Sequence, residues 1–350
     1  MLRLLIVGTT ALTDRLIAAV EAGAPDRYRV IGVVSERTAA TAMDQRYPVL
    51  GTLADLDRLV DSLQPGVIAI AMAERRGSLP VRELLEYRVT RGIAVEDGVE
   101  MYERLTGAVA VDTLTPSSLV FSGRLQVSRP YLAWTRAMGI ALSLAGLVAL
   151  SPLLLLIALA IALDSRGPIL FAQPRIGRAG RPFTLLKFRT MRDGGHGSEW
   201  VRDNGDRITR VGKWLRKFRL DELPQLVNVL RGDMNLVGPR PHPVTNFETL
   251  RLLSRNLNDA TGVDIPYYTL RTLVRPGITG WAQIRYGYAN DFDEEIEKLR
   301  YDLYYITHLS FGLDLRILIE TARVVLRGQD SGPVVAGAAR AANVTGRTAA

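Results

Sequence analysis

Arg219-Leu-Asp221-Glu222-Leu-Pro224-Gln-Leu226-Val227-Asn-Val-Leu230-Arg-Gly232-Asp233-Met, closely followed by Gly238-Pro239-Arg240-Pro241, is the stretch around which this chain is organised. Leu223, Leu226, Val227 and Leu230 recur at i, i+3, i+4 and i+7, which predicts one apolar face of a short helix. Pro224 suits only a first turn, where its missing N–H has no helical partner anyway. Gly232 is a natural stop. Asp221 and Glu222 then stand at a helix N-terminus, where unpaired N–H groups and the dipole favour anions. That placement keeps Asp221 ionised and helps hold a phosphate beside it. It equally suits a plain N-cap followed by a first-turn acid, and the segment alone leaves both readings open.

The rest of the chain narrows the choice. Its 350 residues predict two domains. A hydrophobic content of 47% sits beside a formal net charge of +8, which implies an apolar segment plus a basic surface. Cysteine is absent, so there is no disulfide framework, thiolate metal site or thiol nucleophile. His196, His242 and His308 are too widely spaced to suggest a histidine-ligated zinc site. Any metal chemistry then falls to oxygen ligands and a hard cation such as Mg²⁺. The start, Met-Leu-Arg-Leu-Leu-Ile-Val-Gly, is too short and wrongly flanked for a signal peptide.

Residues 1–125 read as an α/β domain. Apolar strands over Leu2–Val7, Tyr28–Val34 and Gly66–Ala71 alternate with helical spacing over Leu12–Ala22, Leu53–Leu63 and Pro80–Thr90. A short strand follows at Ile93–Glu96. Such alternation with short links predicts a parallel, Rossmann-like sheet. After the first strand the sequence runs Gly8-Thr9-Thr10-Ala11-Leu12-Thr13, which is not the G-x-G-x-x-G phosphate fingerprint. Glu36, just past the second strand, is placed to touch a ribose but is weak support by itself. The domain therefore reads as regulatory, dimerising or a degenerate nucleotide binder rather than as a sugar-nucleotide oxidoreductase.

Ala137–Leu163 is the second landmark. Its 27 positions carry no Asp, Glu, Lys or Arg, and one straight helix of that length would run about 40 Å against a hydrocarbon core of about 30 Å. Ser151-Pro152 lies near the middle, where proline breaks or kinks a helix. Both flanks are basic, with Arg124, Arg129 and Arg136 before and Arg166, Arg175, Arg178 and Arg181 after. The positive-inside rule then puts both ends on the cytoplasmic face. A re-entrant helical hairpin over 129–165 meets these observations, with a kinked single span as the alternative.

From Arg175 to Arg219 there are 13 Lys/Arg and 4 Asp/Glu, a local +9 directly after the apolar segment. Lys187-Phe188-Arg189-Thr190-Met191 continues a strand-like run from Phe183 and points Lys187 and Arg189 to one face. These cations suit phosphates of a lipid, of a substrate, or both. Nucleic acid fits poorly, because stacking aromatics are not interleaved with the charges. In Gly238-Pro239-Arg240-Pro241 the two prolines stiffen the loop, presenting a guanidinium suited to grip phosphate in a bidentate way; a plain polyproline turn is the alternative. Arg275-Pro276-Gly277-Ile278-Thr279-Gly280-Trp281-Ala282-Gln283 reads as a turn-rich connector with an interfacial-type tryptophan. Phe247–Leu257 and Ile265–Leu273 have amphipathic character compatible with a membrane surface. Leu299–Ile306 and Leu313–Leu326 read as helices carrying Asp302 and Asp314, and 329–350 as a disordered tail.

Taken in order, these motifs from Arg129 to Arg327 resemble the bacterial sugar transferase family, the monotopic polyprenyl-phosphate phosphoglycosyl transferases. The marks are Ser151-Pro152, Lys187-Phe-Arg189-Thr-Met191, Asp221-Glu222-Leu-Pro224-Gln-Leu, Gly232-Asp233-Met, Val237-Gly-Pro-Arg240-Pro241, Arg275 to Gln283 and Tyr301-Asp302-Leu-Tyr-Tyr. With the α/β domain in front, the chain looks most like the longer exopolysaccharide-initiating members. It departs from many of them in having no four-helix membrane bundle ahead of that domain. It also carries His242 where an acidic residue often follows the Pro-Arg-Pro loop.

The resemblance implies a fold of three parts: a Rossmann-like domain (1–125), a re-entrant membrane hairpin (129–165), and a mainly helical α+β catalytic domain (166–328) on the membrane surface. It places the protein on the cytoplasmic face of the bacterial inner membrane, with dimerisation through the α/β domain. It implies transfer of a sugar-1-phosphate from a UDP-sugar to undecaprenyl phosphate, with Mg²⁺ on the diphosphate. Asp221 is then the nucleophile and Glu222 a Mg²⁺ ligand or acid/base. Lys187, Arg189 and Arg240 are phosphate clamps, with Pro239, Pro241 and Arg275 in the substrate site. Asp233 and Asp302 support the metal or the arginines, or are structural. A membrane-attached nucleotide-sensing module without turnover is the competing reading.

Overall fold

The computed structural model describes residues 1–36, 47–75, 78–111, 127–192, 207–253, 267–286 and 292–327. His196, the middle of the basic block (193–206), the segment beyond Leu253 and the tail from 329 lie outside them. The described residues divide into two compact units, 1–111 and 127–327.

In the first unit, strands β1 (Leu2–Val7), β2 (Tyr28–Ser35), β3 (Val49–Thr52), β4 (Val67–Ile70) and β5 (Ala94–Asp97) form one parallel sheet in the order β3-β2-β1-β4-β5. Helices α1 (Ala11–Gly23), α2 (Leu56–Leu63), α3 (Val81–Thr90) and α4 (Gly98–Thr106) cover it. The alternation of β1 decides which side each leucine serves. Leu4 and Ile6 join Leu16 and Met101 in one core, while Leu5 and Val7 join Val60, Leu84 and Tyr87 in another. Burial on both faces explains the unbroken apolar runs. Helix α4, which the sequence reading does not anticipate, starts where the Asp97 carboxylate accepts from the Val99 N–H at 2.7 Å.

The loop after β1 closes on its neighbour. Gly8 has φ +121°, and a Cβ there would lie 2.5 Å from the Ala71 carbonyl oxygen. Thr10 Oγ1 donates to that same carbonyl at 2.8 Å, and Glu36 Oε1 accepts from the Ala73 N–H at 3.3 Å. These contacts fill the strand-order reversal between β1 and β4, where dinucleotide folds take their pyrophosphate.

The second unit begins with α5 (Arg129–Ala149) and α6 (Ser151–Asp164). Helix α5 is long and apolar enough to cross a membrane by length and composition. The break falls at Leu150 (φ −91°, ψ 2°), and Ser151 Oγ donates to the Val148 carbonyl at 2.8 Å. Leu144, Val148, Leu155, Leu156, Leu159 and Leu163 are exposed, an unusual run of large apolar side chains. The antiparallel pair β6 (Leu170–Ile176) and β7 (Pro182–Phe188) follows, with Lys187 opposite Phe171. Then come α7 (Arg210–Lys217), a single 3₁₀ turn at Leu220–Glu222, α8 (Gln225–Arg231) and β8 (Asn235–Val237). After α9 (Val244–Leu253) and a 3₁₀ segment at Tyr268–Leu273, strand β9 (Gly277–Thr279) pairs in parallel with β8. Helices α10 (Trp281–Arg285), α11 (Phe292–Thr307) and α12 (Phe311–Arg327) complete the unit.

Four expectations change. The apolar side chains Leu223, Leu226, Val227 and Leu230 are only half-buried, whereas α8 buries Gln225, Asn228 and Val229. Asn228 earns that place by accepting from the Leu186 N–H at 3.0 Å and donating to the Thr184 carbonyl at 2.7 Å, tying α8 to β7. Trp281 is not interfacial: it is 3% exposed, stacked on Tyr304, with the Arg285 guanidinium 4.3 Å from its ring centroid. Asp221 and Glu222 stand in a 3₁₀ turn ahead of α8 rather than in its first turn, and Pro224 caps that helix rather than opening it. The described parts of the two amphipathic stretches bury Phe247, Leu250, Tyr268 and Arg271.

Candidate active site

Helix α7 ends at Lys217 with Phe218 as its cap, and Arg219 then takes a left-handed conformation (φ 53°, ψ 23°). For a non-glycine residue that conformation costs of order 1 kcal/mol or more. It reverses the chain and turns Asp221 and Glu222 inward, at 8% and 6% exposure. Two adjacent buried carboxylates need cations. Arg240 donates through both terminal nitrogens to Glu222 Oε1, each at 3.0 Å. Lys187, on β7, lies half-buried with its ammonium 5.2 Å from the Phe171 ring centroid.

The two carboxylates are driven apart in acidity. Burial, then the neighbouring Glu222 charge, pushes Asp221 up to about 6 against the pull of Lys187, Arg216 and Arg240. Burial also opposes ionisation of Glu222, but Arg240 and Arg219 outweigh it and hold that carboxyl below its ordinary range. The Lys187 ammonium is lowered to about 8 by burial and by Arg175, with Asp221 opposing. The ensemble is thus a carboxylate that ionises just below neutrality, a second one fixed in its charged form, and a ring of cations. Arg175, Arg216 and Arg219 were not singled out in the sequence. Within a basic block no local pattern separates them from their solvated neighbours.

The Pro-Arg-Pro loop is held from both sides. Gly238 donates to the Thr279 carbonyl at 2.9 Å and Gly277 to the Pro239 carbonyl at 3.0 Å. A Cβ on Gly238 would lie 2.5 Å from the Arg275 carbonyl oxygen, and one on Gly280 2.2 Å from the Gly238 carbonyl oxygen. Glycine at these two positions therefore lets the loop and the connector cross in contact. Arg175 donates to the Pro241 carbonyl at 3.1 Å and Arg271 to the Arg240 carbonyl at 3.1 Å. Arg271 in turn pairs with Asp302 at 2.7 Å, both buried. Asp302 accordingly supports an arginine that supports Arg240, and Asp233 accepts from Asn228 at 3.1 Å. His242 is buried between Tyr268 (2.6 Å) and Glu295 (3.0 Å). Burial and the nearby Arg271 guanidinium push it down to about 3, so it is neutral at physiological pH.

Not every sequence candidate reaches the carboxylates. Arg189 lies one residue past the end of β7 and donates to the Ser165 carbonyl at 2.6 Å, capping α6. Arg275 is lowered by burial and by Arg178 and Arg136, a cationic neighbourhood of its own. Ser151 and Pro152 open α6 directly after the break at Leu150. Arg136 of α5 donates to the Leu230 carbonyl at 2.8 Å and also to that of Val229, so the first apolar helix caps α8. Gly139 and Gly146 bring α5 against Val229 and Leu226. Ile157 and Ile161 of α6 pack with Phe188 and Leu215.

Beside the 3₁₀ turn lies a cavity of about 190 Å³ between α8, α10 and α12, with Glu222 in its wall. A smaller one is lined by Pro239, Arg240, Pro241, His242 and Arg271. Among the described residues no cluster of three or more His, Asp or Glu is arranged to hold a metal ion.

Residues 130–328, more than half of the chain, match the bacterial sugar transferase family. The chain is 42% identical over 231 residues to UDP-N-acetylgalactosamine-undecaprenyl-phosphate N-acetylgalactosaminephosphotransferase of Aeromonas hydrophila, covering 65% of this chain and 51% of that protein. It is 41% identical over 218 residues to undecaprenyl-phosphate glucose phosphotransferase of Komagataeibacter xylinus, covering 61% of this chain and 40% of that protein. It is 40% identical over 197 residues to exopolysaccharide production protein PSS of Rhizobium leguminosarum bv. phaseoli, covering 54% of this chain and 94% of that protein. The chain thus spans about half or less of the length of the first two relatives and nearly all of the third.

Proposed function

This chain belongs to the bacterial sugar transferase family, and from that premise we propose that it transfers a sugar-1-phosphate from a UDP-sugar to undecaprenyl phosphate. The observation that carries the reading is Asp221, a buried carboxylate raised to about 6, beside an ion-paired Glu222 and within reach of the charges of Lys187, Arg216 and Arg240. The activities named for the two phosphotransferase relatives support the substrate classes.

The geometry supports a two-step displacement. Lys187 and Arg240 hold the diphosphate of the donor. At neutral pH Asp221 is mostly ionised, and a carboxylate oxygen attacks the sugar-bearing phosphorus. The bond from that phosphorus to the bridging oxygen breaks, and UMP departs with the electron pair. An aspartyl phosphosugar remains. An oxygen of undecaprenyl phosphate then attacks the same phosphorus, the aspartyl bond breaks, and the carboxylate is restored. Splitting one transfer this way is nucleophilic catalysis, and positioning with charge neutralisation supplies most of the acceleration in phosphoryl transfer.

Glu222 is held below its ordinary range, which makes it a poor proton store at neutral pH. Its part is charge: it orients Arg240 and is the residue that would hold Mg²⁺. Two adjacent buried carboxylates fit a cation that takes one or two carboxylates and completes its shell with substrate phosphates and water. Bound there, Mg²⁺ would neutralise charge developing on the diphosphate.

The hairpin reading is supported at both ends. Arg136 ties the first leg to α8, and Arg189 ties the end of the second to β7, within one compact unit. Entry and exit on one face follow if that unit lies on one side of the bilayer, with the exposed leucines in lipid. The site then stands at the level of lipid phosphates, on the cytoplasmic face of the inner membrane.

The test is UMP release by purified protein in detergent with Mg²⁺ and undecaprenyl phosphate, against a panel including UDP-N-acetylgalactosamine and UDP-glucose. Release should depend on the lipid and fall at least about 10³-fold in Asp221→Asn, the scale expected for loss of a nucleophile. Intact-mass measurement of wild type with donor alone should show the phosphosugar adduct. Wild-type turnover in Asp221→Asn would reduce Asp221 to a helix cap. Failure of every UDP-sugar would leave the binding-module reading.

A further inference from the structure

The cavity beside Glu222 is not used by the donor chemistry above. Leu223 and Leu226 line one side, and Ile284, Val324 and Val325 the other. Its polar groups are largely engaged already. The Thr279 and Thr321 hydroxyls pair at 2.7 Å, Gln283 Nε2 donates to the Ile278 carbonyl at 3.1 Å, and Glu222 receives Arg240. Gln283 Oε1 is a buried acceptor without a partner, but one acceptor falls short of the several that a sugar ring's hydroxyls require. The space therefore suits a hydrocarbon.

Two further features say which hydrocarbon. The wall contains Glu222, so an occupant sits next to the carboxylate pair where phosphates react. The wall also contains α12, and that helix exposes Phe311, Leu315 and Ile319 at four-residue spacing on an adjoining face. An apolar chain can thus run from lipid along α12 and end beside Glu222. At about 190 Å³ the cavity somewhat exceeds the roughly 150 Å³ that holds one benzene, which matches a five-carbon unit with little to spare.

Resting on the proposed reaction, we infer that this cavity seats the isoprene unit next to the phosphate of the acceptor lipid, so that Val324, Val325 and Ile284 select for a polyprenyl rather than a straight-chain phosphate. Acceptor selectivity then resides in packing, apart from the cations that grip phosphate.

The experiment fills the cavity. Val324→Phe and Val325→Phe are compared with Val89→Phe, the same enlargement at a residue of the first unit that is 80% exposed. KM for undecaprenyl phosphate should rise at least tenfold in the first two and stay within twofold in the third. KM for the UDP-sugar, and lipid-free exchange of labelled UMP into it, should stay within twofold throughout. An unchanged lipid KM overturns the inference, and a raised UDP-sugar KM assigns the cavity to the sugar and overturns it too. Absence of turnover in wild type strikes the reaction instead. The seat is then tested without turnover or variants, by calorimetry of wild type with geranyl phosphate, n-decyl phosphate and inorganic phosphate. Geranyl phosphate should bind at least tenfold tighter than either; equal affinities overturn the inference.

Discussion

In the proposed reaction Asp221 must be ionised while buried, and burial, together with the neighbouring charges, decides the pH at which that happens. Its ionisation near 6 and that of Lys187 near 8 predict a bell-shaped kcat/KM. The acid limb loses the carboxylate as pH falls through about 6, and the alkaline limb loses the ammonium as pH rises through about 8. Lys187 is among the groups that lower Asp221. Lys187→Met should therefore move the acid limb to higher pH, erase the alkaline one, and reduce kcat/KM at pH 7.5 about 10²-fold, the scale of one lost charge-stabilising donor. A pH profile of both proteins decides this; an unmoved acid limb would separate Lys187 from Asp221. Lys187 was legible as a candidate from its strand. Its partnership with Asp221 was not, because 34 residues of sequence separate the two and only packing brings them together.

Among elements, the Pro-Arg-Pro loop depends on a buried brace. Asp302 on α11 holds Arg271, and Arg271 holds the Arg240 carbonyl. Asp302→Ala leaves a buried guanidinium without its main partner, which costs about 3–5 kcal/mol. In a unit of this size that lowers Tm by roughly 10 °C. The same change should raise the UDP-sugar KM through a loosened Arg240. Asp302→Asn, which keeps an acceptor for Arg271, should recover part of both. Calorimetric melts with kinetics on the two variants test the brace, and a melt unchanged in Asp302→Ala would remove it. His242 takes the position beside this brace as a neutral, buried ring between Tyr268 and Glu295.

At the scale of the molecule, the open matter is how α5 and α6 sit in a bilayer. The chain has no cysteine, so a single introduced thiol reports cleanly. Ser128→Cys and Ile169→Cys flank the pair without touching the basic residues that orient it. Both should react with a membrane-impermeant maleimide in inside-out vesicles and resist it in right-side-out spheroplasts. Opposite labelling of the two would replace the hairpin with a single span.

The sequence by itself determined the parallel sheet, since apolar runs too long for a half-exposed strand require both faces covered. It determined the length and break of the apolar segment, through charge-free residues and Ser151-Pro152. It also placed two carboxylates at the N-terminus of a short helix, where the structure sets them in a 3₁₀ turn just ahead of it. Only the tertiary structure decided which cations meet them. Lys187 and Arg189 share one side of a strand by alternation, yet β7 ends at Phe188, and Arg189 turns to the carbonyl end of α6. Arg240 arrives from a loop whose course depends on glycine contacts with a connector 40 residues away. Periodicity reports which face a side chain takes. The depth of that face, and the charge that waits there, belong to contacts between segments that no local pattern encodes.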